Sequence, residues 1–173
     1  LLLRIIAAGK ITDCADLAHE VALSVGAPKQ ERIIALEALI GLNDDRVVAI
    51  SRSIEMNADI WASEIAARAM VELFPKFMPV ERAKLIVQRV LDEQGSLKEV
   101  KYRLAHEIAT APLTAPYLDA LRVALTDLVV WNLRWEENRV PNLRTARPDL
   151  LPALAAACLR QAADGVRTEA GVD

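Results

Sequence analysis

Apolar and polar residues recur along this chain at the spacing of α-helices, in stretches divided by short stop signals. In residues 80–91, for example, apolar side chains return every third or fourth position and charged ones occupy the opposite face. This is the pattern of an amphipathic helix with about 3.6 residues per turn. No stretch alternates strictly between apolar and polar residues, as a half-buried strand would. The sequence therefore predicts an all-α fold.

Short polar residues, prolines and glycines mark where the predicted helices begin and end. Asp13, Asp59 and Asp149 are placed as N-terminal caps, and Gly26 and Asn43 as helix ends. Prolines at several starts fit the first turn, where a missing N–H leaves no hydrogen bond unmade. Together these signals predict helices over residues 14–25, 28–42, 45–56, 60–74, 80–91, 97–110, 117–134 and 150–164.

The two ends of the chain differ in character. Residues 1–6 are apolar from the first position and have no cap, so we expect the tail of one more helix that begins upstream. Residues 165–173 are small and polar and are predicted to be a frayed tail. The resulting prediction is about eight or nine helices, in a single helical-repeat domain over residues 1–164 that is truncated at its N-terminus.

Two predicted helices resemble each other at an offset of 32 residues. An offset of that size, holding about two helices, is typical of antiparallel helix pairs stacked side by side. Residues 33–42 are also apolar nearly all round, which predicts a helix enclosed by its neighbours. An irregular helical bundle stays open as the alternative, because the match does not extend to residues 99–106. The matching sets are Ala35, Ala38, Leu39, Leu42 and Ala67, Met70, Val71, Phe74.

Residues 31–42 resemble the second helix of a HEAT repeat, in which an Arg, an Ala, an Ala-Leu pair and a Leu recur at fixed spacing. The wider order is similar to helical-repeat regions of large bacterial signalling P-loop ATPases of the NACHT (STAND) type. Residues 95–141 depart from the resemblance, which covers about residues 1–91 and the end of the chain. The matching stretches are residues 2–10, 15–18, 41–45, 72–75 and 154–159.

This resemblance implies a right-handed α–α superhelix, that is, a HEAT/ARM-like solenoid of antiparallel helix pairs. It also implies a non-catalytic sensor or protein-interaction segment of a bacterial ATPase, with anti-phage defence as the suggested setting. The partner would be the rest of its own chain or another protein.

Bulk composition narrows the function classes. No uncharged run approaches the roughly 18 residues that a membrane span needs, so we expect a soluble protein with no membrane partner. The net charge of −3 argues against non-specific binding to nucleic acid. Cys14 and Cys158 are interpreted as small apolar residues rather than a disulfide, which favours a reducing, cytoplasmic setting.

Local motifs for catalysis are incomplete. Gly9-Lys10 suggests a P-loop, but Arg4 and Ile11 stand where a Gly and a Ser or Thr are needed. The His-Glu pairs at 19–20 and 106–107 lack the second His of a zinc motif. We therefore expect no metal, no cofactor and no enzyme activity, although a Ser or Cys assembled with His by the fold stays open.

The most unusual stretch lies between residues 131 and 147. One interpretation is a recognition patch, because Trp and Arg are the residues that most often dominate binding interfaces. In the other, the Trp side chains seal the helix stack and the Arg side chains pair with Glu136, Glu137 and Asp149. Nucleic-acid binding through residues 134–147 is the alternative function. The candidate interaction residues are Trp131, Arg134, Trp135, Arg139, Arg144 and Arg147.

Overall fold

The computed structural model describes residues 2–98, 100–130, 134–135, 141–142 and 147–165. Most of these residues are helical, which confirms the all-α prediction. Two-residue strands, β1 (Arg134–Trp135) and β2 (Pro141–Asn142), pair antiparallel. The helices are α1 (Leu2–Gly9), α2 (Ala15–Leu23), α3 (Lys29–Leu42), α4 (Arg46–Met56), α5 (Ser63–Leu73), α6 (Val80–Gln94), α7 (Val100–Thr110), α8 (Ala115–Val130) and α9 (Leu151–Ala163).

The helices pack into two compact units, Leu1–Pro79 and Val80–Asp173. In the first unit α3 is central and packs against α1, α2, α4 and α5. Its side chains are buried on several faces, including Ile33, Leu36 and Leu39. The prediction that residues 33–42 form an enclosed helix is therefore confirmed.

In the second unit, helices pack on neighbours two positions apart along the chain. Helix α6 packs on α8, and α7 packs on α9, while α8 and α9 also contact each other. The core of this unit includes Leu104, Leu121 and Leu128, all buried. None of the helices in the described ranges has both the length and the apolar character needed to cross a lipid bilayer.

One predicted helix end is confirmed. Helix α3 ends at Leu42, directly before Asn43. Asn43 then takes a left-handed conformation with φ 56°, and its N–H donates to the carbonyl of Ile40. Left-handed residues of this kind end helices because they redirect the chain and satisfy the last carbonyls.

Other boundaries were predicted wrongly. Gly26 does not end α2, because the chain already leaves the helix at Ser24, which is extended. Asp59 does not cap a helix at residue 60: residues 57–61 form a turn in which Trp61 N–H donates to Asn57 O at 2.9 Å, and α5 starts only at Ser63. Tertiary packing explains the later start of α5, since the turn at residues 57–61 buries the Trp61 side chain completely.

The helix predicted over residues 97–110 also starts later, at Val100. Lys98 has a positive φ of 47°, which a helix interior does not accommodate. The helix predicted over 117–134 is described to Val130, and Arg134 lies in β1 instead.

Candidate interaction site around Arg147

The predicted recognition patch is only partly within the described residues. Arg134 and Trp135 form β1, opposite Asn142 and Pro141 of β2. The predicted helix over residues 117–134 therefore does not include Arg134, whose extended backbone pairs with a second strand. Nothing is described of Trp131, Arg139 and Arg144, which lie outside the described residues.

Arg147 is the member of the patch whose side chain the structure places. Its backbone N–H donates to the carbonyl of Val129 at 3.3 Å, which holds the returning chain against the end of α8. The Arg147 side chain is 11% exposed, and its Nη2 donates to Asp92 Oδ1 at 2.5 Å. Asp92 lies in α6, 55 residues away along the chain. The predicted partners Glu136 and Glu137 lie outside the described residues.

Asp149, two residues further on, was predicted to cap the last helix and does not. A short 3-10 turn (Pro148–Leu150) precedes α9, and no side chain caps the first turn of the helix. The Asp149 carboxylate instead accepts hydrogen bonds from Ser96 Oγ at 2.6 Å, from Leu97 N at 2.9 Å and from Lys101 Nζ at 2.9 Å. It therefore joins the turn before α7 to the turn before α9.

The electrostatics of Asp149 follow from this geometry. Partial burial opposes its ionisation, but the hydrogen bonds from Lys101, Ser96 and the Leu97 N–H outweigh that effect and lower the pKa of Asp149. Reciprocally, the hydrogen bond to Asp149 raises the pKa of Lys101. Both groups are therefore charged at neutral pH.

A cleft of about 320 Å³ opens between these two turns. Gly95 forms one wall; its φ of 69° turns the chain out of α6, and its N–H donates to Leu91 O at 2.8 Å. Arg147 and Asp149 form the opposite wall and are both tied to the α6–α7 side. The lining residues are Leu91, Gly95, Ser96, Arg147, Pro148 and Asp149.

The charges in the cleft are matched within it. Arg147 pairs with Asp92, and Asp149 pairs with Lys101, so each of the two charged residues that line the cleft has a partner of opposite charge. Such a cleft suits recognition through hydrogen bonds and shape more than the capture of a highly charged polymer. Among residues 2–98, 100–130 and 147–165, no three His, Cys, Asp or Glu side chains come together as metal ligands would.

The prediction that the Arg side chains pair with Asp149 is wrong for Arg147, which pairs with Asp92, while Asp149 pairs with Lys101. Asp92 and Lys101 are 55 and 48 residues from their partners. No local pattern marks such pairs, because a charged residue on a helix face looks the same whether it pairs or faces solvent. Ser96, directly before the helix predicted over residues 97–110, was the nearest signal: its Oγ accepts from Lys98 N–H at 3.0 Å while donating to Asp149.

Comparison with known protein families, with characterised proteins and with solved structures gave no match to this chain.

Proposed function

We propose that this chain is a non-catalytic protein-interaction segment, built as a HEAT-like solenoid and acting as the sensor part of a bacterial signalling ATPase of the NACHT type. The proposed solenoid architecture is supported by the spacing of polar contacts in the first unit. They link equivalent places in successive helix pairs, at separations close to the 32-residue offset of the sequence pattern.

Four such contacts join the pair α2–α3 to the pair α4–α5. Arg46, at the start of α4, donates to Asp16 at the start of α2, a separation of 30 residues. Arg68 of α5 donates to Gln30 of α3, 38 residues apart, and Lys29 pairs with Glu64 over 35 residues. Lys76 reaches Asn43 over 33 residues. Stacked repeats favour contacts at such separations, because each helix pair packs against the next pair about one repeat away.

Arg32 supports the same arrangement from within the core. This residue occupies the Arg position of the HEAT-like pattern and is only 4% exposed. Its Nε donates to Ala22 O near the end of α2 at 3.0 Å, and its Nη1 donates to Ile60 O before α5 at 2.9 Å. One side chain therefore joins both members of its own pair to the next pair.

In the second unit, polar contacts join helices two positions apart along the chain, at longer separations. Lys84 of α6 contacts Asp127 of α8 over 43 residues, and Arg160 of α9 contacts Ile108 of α7 over 52 residues. The chain between α8 and α9 lengthens the separation of Arg160 from Ile108, but it lies outside the stretch from Lys84 to Asp127. We infer that the second unit is also built from helix pairs, with an enlarged connection whose base is the cleft around Arg147 and Asp149.

In this proposal a protein ligand binds at the connection between α8 and α9. Its binding shifts the equilibrium between two arrangements of the helix pairs. Such a shift is limited to the difference in binding free energy between the two states. The cleft joins α6, α7 and α9, so contacts made there act on three helices at once. Nucleic-acid binding through residues 134–147 is less well supported, because Arg147 is already paired with Asp92.

Calorimetric titration of the chain with magnesium-ATP tests the proposal that this segment is non-catalytic. We expect no binding, and clear nucleotide affinity would overturn the assignment. A parallel titration with a duplex oligonucleotide at low salt addresses the alternative. Binding that weakens steeply as salt is added would favour the nucleic-acid function instead.

Hydrogen exchange on the whole chain tests the solenoid part. Repeats that contact only their neighbours open in stages. We expect α2–α3 and α4–α5 to lose protection at different free energies of opening. A single all-or-none opening of every described helix would contradict a repeat architecture and favour an irregular bundle.

A further inference from the structure

The Asp149 carboxylate is bound, as a ligand would be, by a distant part of the chain. Its Oδ2 accepts from Ser96 Oγ at 2.6 Å and from Leu97 N at 2.9 Å, and its Oδ1 accepts from Lys101 Nζ at 2.9 Å. A hydroxyl, a backbone N–H and an ammonium group therefore converge on one carboxylate. We call these three donors the carboxylate receptor. All of them lie in residues 96–101, so the receptor is complete without the segment that contains Asp149.

Local contacts hold the receptor in shape. Ser96 Oγ accepts from Lys98 N–H at 3.0 Å, which leaves the hydroxyl hydrogen free to be donated to the carboxylate. Leu97 is only 2% exposed, and its carbonyl accepts from Val100 N–H at 3.1 Å. The hydroxyl and the N–H are therefore directed towards Asp149 by contacts within their own turn. Hydrogen bonds to an ionised group are stronger than those between neutral groups, so the receptor favours a carboxylate over a neutral oxygen.

Asp149 also has a second position available at its own helix. Helix α9 begins at Leu151, and no side chain caps its first turn. A carboxylate at that end stabilises a helix, because it accepts from a free N–H and interacts favourably with the helix dipole. The Leu151 N–H, which now donates to Pro148 O, is the donor for a released Asp149, since Pro152 has no N–H. Capping of α9 therefore offsets part of the free energy that Asp149 loses when it leaves the receptor.

We propose that the receptor binds an Asp or Glu side chain of the protein ligand, and that Asp149 occupies the receptor until the ligand displaces it towards α9. The cleft of about 320 Å³ gives access, because Ser96 and Asp149 both line it. Arg147 lines the same cleft, and its Nη1 is buried and has no acceptor in the part of the chain that the structure describes. A buried guanidinium nitrogen of this kind favours the entry of a further oxygen. The exchange replaces one carboxylate by another beside Lys101, so the charge there stays matched.

Displacement of Asp149 separates the turn before α7 from the turn before α9, and this separation distinguishes the two arrangements of the helices. The inference rests on the proposed function for the ligand being a protein. The two proposals fail separately. Binding of magnesium-ATP would overturn the proposed function and leave the carboxylate receptor intact, whereas a receptor that binds no carboxylate would leave the solenoid and its non-catalytic role standing.

Titration of N-acetyl-aspartic acid α-amide into the Asp149→Ala chain, followed by the NMR shift of the Leu97 amide, tests the receptor. We expect a saturable shift in this variant. In the unmodified chain the affinity should be at least about tenfold lower, because the tethered Asp149 competes at a high effective concentration. At saturation the Leu151 amide of the unmodified chain should shift as well, since Asp149 then caps α9. The matched control probe, N-acetylasparagine α-amide, lacks the charge and should shift neither amide.

The double variant K101M/D149A removes the ammonium donor and should bind the aspartic probe at least about tenfold more weakly than Asp149→Ala. Equal affinities in these two variants, or no saturable shift at Leu97 in Asp149→Ala, would overturn the receptor. A shift at Leu97 in the unmodified chain with none at Leu151 would overturn the displacement towards α9.

Asp149→Asn keeps the inference testable if circular dichroism shows that Asp149→Ala does not fold. The amide has the size of the native side chain but no charge for Lys101, so it competes less well with the probe. We expect Asp149→Asn to bind N-acetyl-aspartic acid α-amide more tightly than the unmodified chain does. Equal or weaker binding would contradict the exchange of carboxylates.

Discussion

The guanidinium carbon of Arg32 lies 4.6 Å from the centre of the Trp61 ring. Both side chains are buried, Trp61 completely. Burial lowers the pKa of Arg32, since removal from water disfavours the charged form. The ring face and the carbonyls of Ala22 and Ile60 compensate for the water that the guanidinium has lost.

Arg32→Met should strongly destabilise the first unit. The substitution leaves two buried carbonyls without their donor, and we expect the free energy of unfolding to fall by about 2–4 kcal/mol. Urea denaturation followed by Trp fluorescence measures the change. Arg68→Met is the control, because Arg68 makes an exposed contact with Gln30, and it should change stability by less than about 1 kcal/mol. Equal losses in the two variants would contradict the role given to Arg32.

Asp44 should make stability depend on pH at acid values. Arg46 donates Nε to Asp44 Oδ1 at 2.8 Å and Nη2 to Oδ2 at 2.7 Å. The Arg46 hydrogen bonds lower the pKa of Asp44 from 3.8 to about 2, although partial burial acts in the opposite direction. Because the folded-state pKa is the lower one, the stabilisation is present above pH 3.8 and is lost as pH falls towards 2.

Asp44→Asn should therefore lower stability at neutral pH by about 1 kcal/mol. It should also reduce the loss of stability between pH 4 and 2, measured by denaturation at a series of pH values. Asp45→Asn serves as the control, since Asp45 precedes α4 without a side-chain capping bond. The same reduction in both variants would contradict the assignment to Asp44.

Gly95 and Gly26 form a matched pair for testing backbone conformation. An added Cβ would meet nothing within 4 Å at either position, but only Gly95 has a positive φ, at 69°. Gly95→Ala should lower the free energy of unfolding by about 1–2 kcal/mol, because an L-residue is strained in that region. Gly26→Ala should be neutral or slightly stabilising, since it restricts the unfolded chain. Thermal denaturation of both variants checks the difference, and an equal effect would contradict it.

The Arg147–Asp92 pair should contribute to stability rather than to nucleic-acid binding. Arg147→Ala removes a largely buried side chain, and we expect a loss of about 1–2 kcal/mol. Asp92→Ala should cost about 0.5–1 kcal/mol, because Asp92 is half exposed. The double variant should lose less than the sum of the two, as for residues in contact. Additive losses, or oligonucleotide affinity that Arg147→Ala abolishes, would contradict the pairing role.

The positions of most helices followed from the sequence, because amphipathic periodicity and helix stops act over a few residues. The apolar character of residues 33–42 predicted that α3 is enclosed, and Asn43 predicted its end. These features depend on the 3.6-residue geometry of the helix and on left-handed backbone, both of which are local.

The tertiary structure decided what the polar residues do. Asp149 has the sequence context of a helix cap, yet it binds Ser96, Leu97 and Lys101, which lie 48–53 residues away. Trp61 has the context of a helix interior, yet it lies in a turn because that turn buries its ring. The free energy that a carboxylate or an indole gains from a local partner is similar to the free energy that it gains from a distant one. The packing of the surrounding helices therefore selects the partner, and no short stretch of sequence contains that information.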